Sequence, residues 1–221
     1  MSKFEPAPLT PKTFSRAIQY LCASDPDLAL IHTTLDPPPF WTRKPGFASL
    51  ILIILEQQIS LASARASFDR LRQTVSPLTP DQFLKLDDRR LKSCGFSRQK
   101  IGYGRNLAAA IVEGHLNLPA LADMNDKSAR SELVSVKGIG PWTADIYLLT
   151  VLGRPDIWPK EDLALAVAAQ RIKQLDSRPT PRELEKLSME WKPWRAVAAR
   201  LLWHFYLHGP KTASDRQGKM G

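Results

Sequence analysis

The stretch from Lys137 to Asp145 reads Lys-Gly-Ile-Gly-Pro-Trp-Thr-Ala-Asp and lies between two segments that are predicted to be helical. Its two glycines, Gly138 and Gly140, flank Ile139, which is expected to anchor the turn in the core. Glycine lets a backbone adopt positive φ and approach another group closely. The next helix begins with proline, and its free N–H groups and dipole form an anion site that suits a phosphate. An ordinary turn between two helices needs glycine only for geometry, so this fragment leaves both interpretations open.

Almost every other local signal in the chain is also helical. The apolar segment from Phe47 to about Ile59 predicts a central buried helix, and the prolines of residues 36–46 predict an extended connector before it. Asp162 to Gln174 is predicted to be helical, and the last helix is expected over Pro193–Leu207. An N-cap residue followed by proline marks four helix starts, at Thr10, Asp25, Thr79 and Thr180. The sequence therefore predicts an all-α fold of roughly ten helices.

The composition restricts the classes of partner and of site. A formal net charge of +9 over 221 residues indicates a polyanionic partner, of which nucleic acid is the commonest. The two cysteines, Cys22 and Cys94, are too few for a four-thiolate zinc site or an iron–sulfur cluster, and the histidines lack metal-ligand spacing, so we predict no metal site. The amino-terminal residues contain no signal-peptide apolar region, and the most apolar run, Leu50–Leu55, is too short to cross a bilayer. We therefore expect a soluble intracellular protein without a membrane partner.

Four motifs in order resemble those of the helix–hairpin–helix DNA glycosylase superfamily, in particular the 3-methyladenine DNA glycosylase II family. They are the hairpin above, Leu55–Ser60 (Leu-Glu-Gln-Gln-Ile-Ser), Trp158–Leu163 (Trp-Pro-Lys-Glu-Asp-Leu) and Trp191–Arg195 (Trp-Lys-Pro-Trp-Arg). The resemblance covers about residues 46–208. The larger bacterial enzymes add a β-rich domain before this core, whereas the preceding segment here reads as helix and connector, so the chain is similar to the compact form.

The resemblance implies a single glycosylase unit over residues 1–221, with two helical lobes and a DNA-binding cleft between them. Lobe A is expected over about residues 47–152 and includes the hairpin at 137–141. Lobe B is expected to combine about residues 1–46 with 153–208, and residues 209–221 are expected to form a flexible tail.

The same resemblance implies a monofunctional DNA glycosylase that removes alkylated purines by base flipping. Its substrates would be 3-methyladenine and 7-methylguanine, with hypoxanthine and etheno-adenine as further candidates. Asp162 matches the catalytic aspartate, which would stabilise an oxocarbenium-like transition state and orient the attacking water. Asp162 also suits the N-cap of its own helix, and both roles can hold at once. Bifunctional relatives carry a nucleophilic lysine where this chain has Trp142, so no strand cleavage is expected.

Further residues are assigned by their positions in the family motifs. Trp142 and Trp203 would be walls of the base pocket, since an indole face attracts a positively charged base, although core packing is the alternative for each. Gln58 matches a wedge position that fills the gap left by the flipped base, with hydrogen bonding at the helix end as the alternative. The loop at residues 95–100 is a second candidate for insertion into the duplex.

Contacts with the DNA backbone are expected from two groups of residues. The hairpin residues are Lys137, Gly138, Ile139 and Gly140. The basic residues that also suit phosphate contact are Arg98, Lys100 and Arg105, although a solvated basic face is the alternative for them.

Two other functions remain open at the level of the sequence. A glycosylase for uracil or mismatched bases would need hydrogen-bonding groups around Trp142, and a non-catalytic helix–hairpin–helix DNA-binding module would not need Asp162. The expected partner is double-stranded DNA with a damaged base, bound by a monomer. The expected location is the cytoplasm with the nucleoid in a bacterium, or the nucleus in a eukaryote. No cofactor is predicted, and a monovalent cation on the hairpin carbonyls is left open.

Overall fold

The computed structural model describes residues 7–210, and the regular structure within them is entirely helical, which confirms the all-α class. The expected tail falls mostly on residues 211–221, which lie outside the described residues. The α-helices are α1 Pro11–Ser24, α2 Pro26–Thr34, α3 Phe47–Glu56, α4 Leu61–Thr74, α5 Pro80–Leu84, α6 Asp88–Ser93, α7 Arg98–Val112, α8 Asp126–Val134, α9 Pro141–Thr150, α10 Leu163–Ile172, α11 Pro181–Ser188 and α12 Arg195–His208. Two short 3-10 segments, Pro119–Asp123 and Met189–Trp191, complete the described elements.

The chain divides into two compact units. The hairpin unit is Thr42–Leu152 and contains α3 to α9. Helix α3 lies at its centre because it is apolar on nearly every side, and it packs against α4, α7 and α9. Helices α8 and α9 pack on each other and are tied by an ion pair between Arg130 and the buried Asp145. The loop that joins α8 and α9 is therefore held at both of its ends.

The composite unit combines residues 7–41 with 153–210 and contains α1, α2 and α10 to α12. Helix α12 packs against α1, α2 and α10. Arg200 of α12 is fully buried, where it donates to the carbonyls of Ala196 and Trp41, and desolvation lowers its pKa to about 10. Its guanidinium lies against the rings of Phe14 and Phe40. These contacts attach the chain before the hairpin unit to the last helix.

A buried charge cluster in the composite unit joins α2, α10 and the 3-10 segment before α12. Asp25 accepts hydrogen bonds from the Trp191 indole at 2.8 Å and from the Lys173 ammonium at 3.3 Å. Burial alone would raise the pKa of Asp25, but these bonds, with the backbone N–H of Leu28, lower it below its ordinary value. Trp191 is 1% exposed, so it is a core residue. The cluster fixes the start of α2, because Asp25 is also its N-cap.

Several helix boundaries differ from the sequence-based prediction by a few residues, and the backbone angles explain two of them. Helix α3 ends at Glu56 and not near Ile59, because Gln57 leaves the helical backbone (φ −57°, ψ 123°) and Gln58 adopts left-handed backbone (φ 58°). Helix α12 begins at Arg195 and not at Pro193, because Trp194 is its non-helical N-cap (φ −117°, ψ 28°).

Candidate active site

The hairpin between α8 and α9 places its two glycines in different environments. Gly138 has φ 108°, and a Cβ atom there would lie 2.6 Å from the Cβ atom of Tyr103, so the fold itself requires glycine. Gly140 has φ −85°, and a Cβ atom there would meet nothing within 4 Å. Ile139 is buried, as expected of the residue between them. The space beside Gly140 is thus left open by its neighbours, and although glycine suits its position as the N-cap of α9, no described neighbour requires it sterically.

Two carbonyls of the hairpin accept hydrogen bonds from protein side chains, whereas two of its amides donate to no described residue. The carbonyl of Lys137 accepts from the Asn106 side chain at 3.2 Å, and the carbonyl of Gly138 accepts from the Gln57 side chain at 3.1 Å. Within residues 7–210, neither the Gly138 nor the Gly140 N–H group donates to a described residue. Two unpaired amides beside the start of a helix form an arrangement that can bind an anion. The side chain of Lys137 is exposed next to them.

The turn after α3 presents Gln58 on the surface. Gln58 is exposed, and two apolar neighbours are exposed with it: Ile59 by 42% and Leu61 by 57%. Ser60 between them is the N-cap of α4 and accepts from the N–H of Ser63 at 3.1 Å. An exposed polar side chain with exposed apolar side chains next to it in the same turn is suited to contact with stacked bases.

The three basic residues on α7 have different surroundings. Arg98 is the first residue of α7 and is exposed. Arg105 forms an ion pair with Asp88 at 2.7 Å and donates to the Leu86 carbonyl at 2.9 Å. Lys100 is half-buried, and its Nζ atom donates to the carbonyls of Leu55 at 2.6 Å and Gln57 at 2.8 Å. Of the three, Arg98 is the exposed charge, whereas Lys100 and Arg105 are bonded to groups of the protein.

The second wedge candidate, the loop at residues 95–100, exposes no apolar side chain. Its Phe96 is buried beside Phe83, with ring centroids 6.0 Å apart, and Ser97 caps α7 through the N–H of Lys100. Gln58 is the better placed of the two candidates.

Asp162 is the N-cap of α10 and is 7% exposed. Its Oδ1 atom accepts from the N–H of Leu165 at 2.9 Å and from the indole Nε1 of Trp203 at 3.1 Å. One bond comes from the same turn and the other from α12, so the carboxylate is fixed in position and direction. The neighbouring Glu161 is exposed, and Leu163 is 59% exposed.

The two tryptophans assigned to the base pocket lie in different units. Trp142 is half-buried in the first turn of α9, in the hairpin unit. Trp203 is half-buried on α12, in the composite unit, where it bonds to Asp162. The sequence did not reveal this bond, because the two residues are separated by many intervening residues and only the packing of α10 on α12 joins them.

Gln57 is the other contributor that the sequence analysis missed. Its Nε2 atom donates to the carbonyl of Gly138 and, at 2.9 Å, to the hydroxyl of Thr143 in α9. The available signal was the pair of glutamines at the end of an apolar helix, of which one faces the surface and the other the interior.

No group of three or more potential metal ligands occurs among residues 7–210. In the same range, no helix is both long enough and apolar enough to cross a membrane.

Comparison with known proteins gives a consistent result. The family model of the HhH-GPD superfamily base excision DNA repair protein matches residues 51–194. The putative DNA-3-methyladenine glycosylase YfjP of Bacillus subtilis is 36% identical over 158 residues, which are 68% of this chain and 55% of that protein. This chain thus spans about half the length of YfjP. DNA-3-methyladenine glycosylase 1 of Schizosaccharomyces pombe is 28% identical over 165 residues, which are 73% of this chain and 72% of that protein.

The solved structure of the S. pombe 3-methyladenine DNA glycosylase Mag1 in complex with abasic DNA is also similar. It superposes with a TM-score of 0.83 at 25% identity and covers 89% of this chain and all of that one.

Proposed function

Because the chain belongs to the HhH-GPD superfamily of base excision DNA repair proteins, we propose that it is a monofunctional DNA glycosylase for alkylated purines. The single observation that carries the proposal is the buried Asp162 carboxylate, held by one backbone and one indole N–H group. The names of its relatives support 3-methyladenine as a substrate. The other candidate substrates are 7-methylguanine, hypoxanthine and etheno-adenine.

The chemistry assigned to Asp162 is stabilisation of positive charge on the sugar. As the N-glycosidic bond breaks, its electron pair leaves with the base, and the sugar becomes an oxocarbenium-like cation. A fixed carboxylate in a water-poor site stabilises this cation and accepts a proton from the water that attacks C1′. The bonds from Leu165 and Trp203 hold the carboxylate in place before the reaction, so no reorganisation is needed at the transition state.

Alkylation at purine N3 or N7 gives the base a positive charge and weakens the glycosidic bond. The electron-rich face of Trp142 would attract such a base. The face of Trp203, whose indole N–H is bonded to Asp162, would do the same. A uracil or mismatch glycosylase would instead need polar groups that read the base edge, and no observation here favours that function. Since Trp142 occupies the position of the lysine nucleophile in bifunctional relatives, the product would be an intact strand with an abasic site.

The grip on DNA is assigned to the hairpin and to the turn after α3. The open N–H groups of Gly138 and Gly140 would bind a phosphate, and exposed Lys137 would add positive charge. Gln58, which is followed by exposed Ile59 and Leu61, would enter the duplex when the damaged base leaves the stack. We propose that the protein acts as a monomer on damaged duplex DNA, in the nucleoid of a bacterium or in the nucleus of a eukaryote.

The test is release of bases from defined DNA. Purified protein is incubated with duplexes that carry one 7-methylguanine, hypoxanthine, etheno-adenine or uracil, and with DNA treated with a methylating agent. Released bases are identified by chromatography. We expect 3-methyladenine and 7-methylguanine among the products. Release of uracil alone would refute the substrate class, and no release of any base would refute catalysis.

The Asp162→Asn variant separates catalysis from folding. Asparagine is also a good N-cap, and its oxygen can accept from Trp203, so we expect an unchanged melting temperature and normal DNA binding. Base release should fall by at least about 100-fold, the usual cost of losing a group that stabilises transition-state charge. Excision at the wild-type rate would show that another group does the chemistry.

A further inference from the structure

The carboxyl-terminal end of α3 is held by a lysine from another helix. Lys100 of α7 donates from Nζ to the carbonyls of Leu55 and Gln57, which are among the terminal carbonyls that a helix cannot satisfy itself. A positive charge at this end is also favourable for the helix dipole. Burial lowers the pKa of Lys100, in agreement with an ammonium group that faces protein and not bulk water. Gln58, with its left-handed backbone, follows directly on the residue that Lys100 holds.

The same turn is bonded to the hairpin by a side chain. Gln57 donates from Nε2 to the carbonyl of Gly138 and to the hydroxyl of Thr143. One face of α7 supports both regions: Lys100 holds the turn, Tyr103 packs on Gly138, and Asn106 donates to the Lys137 carbonyl. The two surface regions assigned to DNA are therefore connected through a few specific bonds within the hairpin unit.

We propose that Lys100 and Gln57 are positioning residues, which hold Gln58 in the geometry that enters DNA and keep its distance from the hairpin fixed, without contacting DNA themselves. The proposal rests on the proposed function, because it assigns Gln58 to the gap left by a flipped base. It differs from the expectation drawn from charge alone, in which Lys100 binds a phosphate.

The first experiment measures the salt dependence of DNA binding by the Lys100→Met variant. Each phosphate neutralised by a protein charge contributes about 0.9 to the slope of log K against log salt concentration. We expect the slope of Lys100→Met to equal that of the wild type. Lys186→Met, which removes an exposed charge from α11, is the control for the loss of one positive charge. A slope reduced by about 0.9 in Lys100→Met alone would make Lys100 a phosphate contact and overturn the proposal.

The second experiment measures base flipping and excision by the same variant. Fluorescence of 2-aminopurine next to the damaged base reports unstacking on binding, and it should rise less with Lys100→Met than with the wild type. Single-turnover excision from a fully paired duplex should fall by up to about 100-fold, the scale of loss for a misplaced group. The loss should shrink when the damaged base lies in a single-base bulge, because an unpaired base costs less to extrude.

The outcomes separate positioning from a general structural role. An equal loss on paired and bulged DNA would mean that the variant damages the fold or the chemistry, and unchanged flipping and excision would mean that Lys100 holds nothing important. Gln57→Ala provides a second variant in case Lys100→Met folds poorly, and it should show the same pattern: an unchanged slope and a loss rescued by the bulge. If the wild type excises no base, the proposed function fails, whereas the fluorescence comparison still tests the positioning of Gln58.

Discussion

The two hairpin glycines allow a test that separates an effect on folding from an effect on DNA binding. Gly138 is required by its neighbours, since it has φ 108° and lies against Tyr103. Gly140 is required by no described neighbour, since its φ is −85° and the space next to it is open. If a DNA phosphate occupies that space, Gly140→Ala should weaken DNA affinity with little effect on the stability of the fold. Gly138→Ala should mainly lower the stability of the fold.

The magnitudes follow from the local geometry. Gly138→Ala places a side chain in strained backbone, at about 1–3 kcal/mol, and forces it against Tyr103, at about 1–3 kcal/mol more. We therefore expect a loss of roughly 2–6 kcal/mol in the free energy of unfolding. Gly140→Ala should instead leave the free energy of unfolding within about 1 kcal/mol of the wild type, because alanine restricts the unfolded chain by about 0.4–1 kcal/mol but is a poorer N-cap of α9 than glycine by about 1 kcal/mol. Loss of a hydrogen bond to a charged phosphate costs about 1.5–3 kcal/mol, which raises the Kd for DNA by roughly 10- to 150-fold.

Urea unfolding gives the free energy of unfolding, and fluorescence anisotropy with two duplexes of unrelated sequence gives the Kd. Gly102→Ala on α7 is the matched control, because a Cβ atom there also meets nothing within 4 Å. The control should stabilise the protein by up to about 1 kcal/mol and leave the Kd unchanged. Wild-type affinity in Gly140→Ala would refute the phosphate site. Destabilisation of Gly140→Ala by more than about 2 kcal/mol, which exceeds the cost of a poorer N-cap, would instead refute the steric argument.

Three further predictions concern the chemistry of the proposed reaction and the stability of the composite unit. Trp203→Phe keeps an aromatic face but removes the bond to Asp162, so single-turnover excision should fall by roughly 10- to 150-fold at unchanged DNA affinity, from the loss of about 1.5–3 kcal/mol. An unchanged rate would show that the bond does not orient the carboxylate. Borohydride added during turnover should trap no protein–DNA adduct, and strands should break only after alkali, because the proposed function assigns Trp142 to the position of the lysine nucleophile of bifunctional relatives. An adduct would refute the monofunctional assignment. The lowered pKa of Asp25 means that its contribution to stability is present above its unfolded pKa of about 3.9 and is lost as pH falls through its lower folded pKa. Urea unfolding of Asp25→Asn should therefore depend less on pH between about pH 5 and pH 2 than unfolding of the wild type, and parallel curves would contradict the assignment.

The sequence predicts best the features that depend on neighbouring residues. The N-cap of α10 and the helical class follow from residue types at fixed local spacings, and Asp162 is indeed a cap. The end of α3 was missed because nothing in the type of Gln58 indicates left-handed backbone, which glycine or asparagine usually marks.

Contacts between distant segments could not be predicted from one sequence. The charge of Lys100 suggested a phosphate contact. Only the packing of α7 on α3 determines that its ammonium group donates to two carbonyls of the protein. The bond from Trp203 to Asp162 depends in the same way on the packing of α10 against α12. Such partners depend on how helices pack, and their residue types alone are compatible with many partners.

Asp162 is both the cap of α10 and the proposed catalytic group, and this combination affects how the activity of this fold can change in evolution. Asparagine, serine and threonine would satisfy the start of α10 nearly as well as aspartate does. Selection for a stable protein therefore places little constraint on the carboxylate, and one nucleotide change can remove activity while expression levels stay normal. In a duplicated gene, this single change could give a protein that binds damaged bases without excising them, with no misfolded intermediate along the way. Surveys of genetic variants that score only protein abundance would classify such a change as harmless.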